Sequence, residues 1–152
     1  MSDEPLPPAG RLLAVDWGDV RIGLALSDES QILASPLETL VRRPGKRFPM
    51  PRFLELVAEH EPVGIVVGLP LTGEGAEEAS AAAARDMAAG ISRRTGLPVG
   101  FWDERLSTAR ALGAIREQGG STRGRREDVD ALAAAVLLQH FMESRRPIKA
   151  PQ

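Results

Sequence analysis

The sequence predicts a single α/β domain whose five-stranded mixed sheet is flanked by α-helices. Three observations carry this reading. The first third of the chain holds apolar alternations joined by a tight-turn glycine, the pattern of adjacent antiparallel strands. From Pro51 onward helical and strand patterns alternate, which implies parallel crossovers. The 152 residues contain no internal repeat and no interdomain linker, so all of these elements share one core.

The elements follow in order. Arg11–Val15 reads as a buried strand ending at Asp16. Gly18 marks the turn, and Arg21–Ser27 alternates with Ile22, Leu24 and Leu26 on one face. Ile32–Leu40 is a third strand, interrupted at Ser35-Pro36; the three are adjacent and antiparallel, the first of them central. Prolines, a glycine and basic residues make the stretch after Val41 a loop. Pro51 suits the first turn of a helix with Leu54, Val57 and Ala58 on its apolar stripe, ended by Glu61-Pro62. Ile65–Val67, closed by Gly68-Leu69-Pro70, is a strand buried on both faces. An Ala-rich helix from Glu77 to Arg94 ends at Gly96 and Pro98, and Val99–Trp102 is the fifth strand. A helix over Ser107–Gln118, a basic loop and a last helix over Glu127–Met142 complete the chain, with flexible tails expected at 1–10 and 144–152.

Composition narrows the function classes. With 43% hydrophobic and 26% charged residues the chain is globular rather than disordered. No apolar run approaches the roughly 20 residues that span a bilayer, and the first ten residues lack the order of a secretion signal. The absence of cysteine removes disulfides and thiolate nucleophiles and fits a cytoplasmic protein. A net charge of −2 does not by itself announce a nucleic-acid binder. The basic residues are nonetheless clustered: Arg42, Arg43, Lys46 and Arg47 in one loop, Arg123, Arg125 and Arg126 in another. Taken singly, either cluster also reads as solvated loop charge.

Three acids fall where a site is expected. Asp16 ends a core strand, and Asp103-Glu104 occupies the same place after Val99–Trp102. In parallel α/β sheets ligands gather at the carboxyl ends of strands. Asp130 shares a helical face with Ala133, Ala134, Leu137, Leu138 and Phe141, so it heads a stripe that packs on the sheet. Its first-turn position also suits a simple dipole-stabilising acid. Converging carboxylates repel unless a cation sits among them, and a hard ion such as Mg²⁺ or Mn²⁺ takes oxygen donors. Such ions activate water and stabilise a leaving oxygen in phosphodiester hydrolysis. His60 and His140 sit late in their helices and read as structural.

The motifs now on the page resemble those of a known family. Val15-Asp16-Trp17-Gly18 with Arg21-Ile22-Gly23 is similar to the DxGxxRIG opening of the YqgF (RuvX) family. Gly68-Leu69-Pro70, the run Asp103-Glu104-Arg105-Leu106-Ser107-Thr108 and Val129-Asp130 match its GLP, DERLST and VD segments in order. The resemblance spans nearly the whole chain and implies a ribonuclease H-like fold related to the RuvC Holliday-junction resolvases. It also implies a nuclease that matures the 5′ end of pre-16S rRNA. The family's catalytic, metal-holding acids fall on Asp16, Glu104 and Asp130, which favours Glu104 over Asp103; Glu127 is an optional fourth ligand. Trp17 stands where many members carry another residue.

Two other readings compete. Actin- or Hsp70-like ATPases share the topology and a DxG hairpin, but they close two such domains on a nucleotide and this chain has room for one. A non-catalytic nucleic-acid-binding ribosome-assembly factor would not need all three acids. Within the nuclease reading the substrate is RNA or branched DNA, with no membrane partner. A four-way junction needs two facing sites, which a homodimer supplies. Arg21 is expected beside the acidic edge, pairing with phosphate or carboxylate. The two basic loops are expected to flank the acids and hold the substrate backbone.

Overall fold

The computed structural model describes residues 6–18, 20–42, 47–69, 75–103 and 126–145. Five strands, β1 (Leu12–Asp16), β2 (Arg21–Ser27), β3 (Ala34–Val41), β4 (Gly64–Leu69) and β5 (Val99–Asp103), form one sheet in the order β3-β2-β1-β4-β5. β1 pairs antiparallel with β2 and parallel with β4, β4 pairs parallel with β5, and β3 is an antiparallel edge. The mixed sheet and the central place of β1 are as the sequence predicts. β3 begins two residues later than expected because the Ile32 and Leu33 amides donate to the Asp28 carboxylate in the preceding turn, and its register shifts further along, where Pro36 pairs with Ala25. Proline cannot donate to a ladder, and an edge strand tolerates it.

Three described helices cover the sheet: α1 (Met50–His60), α2 (Gly75–Thr95) and α3 (Arg126–Arg145). The helix expected over Ser107–Gln118 lies outside the described residues. Side-chain alternation divides the core into two layers. Leu13, Val15 and Trp17 of the first strand and turn join Phe53 and Leu56 of α1 and Ala84, Met87, Ala88 and Ile91 of α2. Leu12 and Ala14 face the other way, onto Ala134, Leu137 and Leu138 of α3. α3 buries the stripe expected of it and packs on β2, β3 and β1. Gln139 fastens it to the start of β3, accepting from the Ala34 amide at 2.9 Å and donating to the Ile32 carbonyl at 2.8 Å.

The expected N-terminal tail is corrected for its second half. Leu6 is buried in the α3 layer, over positions where Gly64 and Gly100 carry no side chain. Arg145 donates to the Leu6 carbonyl at 2.7 Å, so α3 extends three residues beyond the expected Met142 to reach it.

Candidate active site

Alternation decides which acids share a face. Asp16 continues the series Leu12, Ala14 and therefore belongs to the α3 side of the sheet, at the carboxyl end of the central strand. Its ladder partners are Gly23 on β2 and Gly68 on β4. Gly23 is the residue that admits α3: a Cβ there would fall on the backbone carbonyl of Asp130. The same glycine thus neighbours Asp16 along the ladder and Asp130 across the layer. The small residues Ala131, Ala133 and Ala134 let the helix approach this closely.

Asp130 is 5% exposed, a costly place for a carboxylate unless cations or hydrogen bonds offset the burial. Arg21, at the start of β2, brings Nε to 3.9 Å from its Oδ2, a charge contact rather than a hydrogen bond. Arg21 therefore stands where the sequence places it, beside an acid and off the apolar face of Ile22 and Leu24. The turn that delivers both Asp16 and Arg21 depends on Gly18, whose Cβ would collide with the Arg21 carbonyl.

On β5, Phe101 packs in the α1–α2 layer and Trp102 in the α3 layer, edge-on to Phe141 with centroids 5.9 Å apart. Asp103, opposite Leu69, thus falls on the α1–α2 side, away from Asp16 and Asp130. Glu104 lies outside the described residues, as do Arg43, Lys46, Arg123 and Arg125. Arg126 and Glu127 open α3. His60 ends α1, lining a hollow with Gly10 and Arg11 at the opposite end of β1. Among the described residues no group of three potential metal ligands gathers. The pair that does share a face, Asp16 and Asp130, offers hard oxygen donors of the kind Mg²⁺ and Mn²⁺ prefer.

The two described residues of the first basic cluster, Arg42 and Arg47, lie on the other face. Arg42 stacks its guanidinium over the Trp17 ring, 4.9 Å from the centroid. Arg47 lines a cleft together with Trp17 and Arg42. Both lie near the end of β1 on the α1–α2 side, the face opposite to Asp16 and Asp130. Sequence reasoning missed Trp17's part in this. Its indole is 8% exposed, and among the described residues its Nε1 has no acceptor.

Residues 10–144 match the family model described as RuvX, Holliday junction resolvase. The chain belongs to the RuvX family. A RuvX relative from Koribacter versatilis, named "Putative pre-16S rRNA nuclease", is 42% identical over 142 residues, covering 93% of this chain and 92% of that protein. Another under the same name, from a species of Anaeromyxobacter, is 45% identical over 135 residues, covering 89% and 98%. The fold of this RuvX protein matches that of Thermus thermophilus RuvC in complex with a Holliday junction substrate, with a TM-score of 0.55 at 20% identity over 90% of this chain and 95% of that one. The resemblance drawn from the four sequence motifs and the ribonuclease H-like fold it implies both hold.

Proposed function

We propose that this RuvX protein is a divalent-metal-dependent nuclease that cuts phosphodiester bonds in precursor 16S rRNA in the cytoplasm. The observation that supports the reading is that Gly23 pairs with Asp16 along the ladder and packs against the Asp130 backbone, on one face at the carboxyl end of β1. Continued alternation along β5 would turn Glu104 to that same face, completing a set of three carboxylates. Asp16, Glu104 and Asp130 would hold Mg²⁺ or Mn²⁺, which supplies Lewis acidity to a phosphate oxygen and a lowered pKa to bound water. Arg21 contributes positive charge beside the acids, where an approaching phosphate meets it before it meets the carboxylates. The names of the relatives support ribosomal RNA as the substrate, and none of the described helices is long and apolar enough to cross a membrane.

The test is one cleavage panel with Mg²⁺ and with Mn²⁺, comparing 5′-extended and mature 16S rRNA fragments, single-stranded DNA and a four-way DNA junction. The expected result is metal-dependent cutting of the extended RNA. Altered partners of metal ligands commonly cost 10–100-fold, so Asp16→Asn and Asp130→Asn, which alter ligands themselves, should each cost more than about 100-fold. Preferential cutting of the junction would replace RNA by branched DNA. Uncut RNA and DNA with retained binding would leave an assembly factor.

A further inference from the structure

A cleft of about 490 Å³ opens on the α1–α2 side, between the segment after β3 and the length of α2. Arg42 and Arg47 enter it from one bank, Arg93 and Arg94 from the other, and Asp86 is the one carboxylate among its described lining residues. Arginines in the last turn of α2 suit the helix dipole on their own. That does not explain why a second pair from a distant segment faces them. Among the described residues Arg47, Arg93 and Arg94 form no salt bridge. Arg93 folds back along α2, its guanidinium 3.9 Å from where a Cβ on Gly90 would stand, which keeps it over the cleft.

Trp17 closes one end. It is buried, it holds Arg42 by its ring face, and its Nε1 lines up no acceptor among the described residues. It also directly follows Asp16, so this end of the cleft is one peptide from the carboxylates, around the edge of the sheet. From Ala83 to Arg94 the bank formed by α2 runs for roughly 16 Å at the helical rise.

We propose that this cleft holds a single strand of RNA, the stretch adjoining the bond to be cut, with Arg93 and Arg94 as phosphate contacts and Trp17 as the platform that positions Arg42. This rests on the nuclease reading for its substrate, though not for its chemistry. Positive charge on both banks fits a polyanion, and a volume in the range of small-ligand pockets is too small to enclose a duplex.

The experiment is titration of a labelled, unstructured oligoribonucleotide followed by anisotropy in EDTA, across a salt series, alongside the cleavage assay on the same preparations. Each lost phosphate contact flattens the log–log salt slope by roughly 0.7 on a single strand. Arg93→Ala with Arg94→Ala should therefore flatten it by roughly 1.4, so that between about 50 and 200 mM salt the wild type loses roughly sevenfold more affinity than the variant. Arg93→Lys with Arg94→Lys should restore the slope, because a phosphate contact needs the charge. Arg93 and Arg94 are both exposed, so folding is not at stake. An unchanged slope in the alanine variant of a protein that cuts RNA would overturn the cleft and leave the nuclease standing. Cleft-dependent binding in a protein that cuts nothing would overturn the nuclease and support the cleft. Equal dependence on Arg93 and Arg94 for a duplex of the same length would overturn the single strand.

Discussion

Gly23 carries no side chain because the backbone of α3 occupies the space where one would be. Adding a single methyl group there must push the helix or the strand aside. Overpacking of this kind costs about 1–3 kcal/mol, so Gly23→Ala should lower unfolding stability by that amount in urea and, by separating Asp16 from Asp130, cut cleavage as well. A variant as stable as the parent would show that the two elements do not meet so closely. The pair Asp103 and Glu104 makes a second residue-scale expectation. Asp103 lies on the α1–α2 side, so Asp103→Asn should stay within about tenfold of the parent in cleavage, whereas Glu104→Gln should lose more than about 100-fold, as expected for a metal ligand. Equal losses would mean that β5 twists at its end and that alternation stops before Glu104.

Between elements, the Arg52–Glu38 pair joins the first turn of α1 to the edge strand β3. Arg52 donates to both Glu38 carboxylate oxygens, at 2.7 and 2.9 Å, and to Glu55 at 2.9 Å. The hydrogen bonds from Arg52 hold the Glu38 carboxyl below its ordinary 4.5, against a smaller opposing effect of burial. A carboxylate whose pKa is lowered by folding stabilises the fold above its unfolded value, and that stabilisation vanishes as the pH falls through the folded value. Glu38→Gln should therefore melt below the parent at neutral pH, and the gap should close on going below about 4.5. Melts followed by circular dichroism at a series of pH values check this; a gap that persists in acid would assign the effect to packing. The pair brackets the segment carrying Arg42 and Arg47, so salt should loosen that segment's attachment without touching the core.

For the molecule as a whole, the two layers on either side of the sheet have different closures. The α3 layer is completed by Leu6, whose side chain fills the ground left by Gly64 and Gly100, while Arg145 holds its carbonyl. Leu6→Ala should cost about 2 kcal/mol, the low end for a buried leucine at a segment able to adjust; denaturation unchanged from the parent would return residues 6–10 to the status of a tail. Leu6 was hidden in the sequence because a Pro-rich start reads as flexible, and the hole it fills is made by glycines far along the chain. Asp16 was legible for the opposite reason, since a continuous apolar run that stops at an acid needs no distant partner to be recognised. Asp130's buried place against the sheet was legible through its stripe. The cleft was not: Arg42 and Arg93 stand fifty-one positions apart, and only the packing of α2 beside the segment after β3 brings them to one opening.

Asp16 and Trp17 are consecutive, yet alternation sends them to opposite sides of the sheet, one to the carboxylates and one to the cleft. The length of β1 is consequently a matter of parity. Inserting or deleting one residue between Gly10 and Asp16 would exchange the faces, driving the acid into the apolar layer and the indole beneath α3. Inserting two would keep the faces but carry Asp16 roughly 6–7 Å along the strand, out of line with Gly23. No change of length in this strand is neutral, whereas the segment between β3 and α1 can lengthen at little cost. Among relatives, gaps and insertions should accumulate there and leave the run from Leu12 to Gly18 at a fixed count.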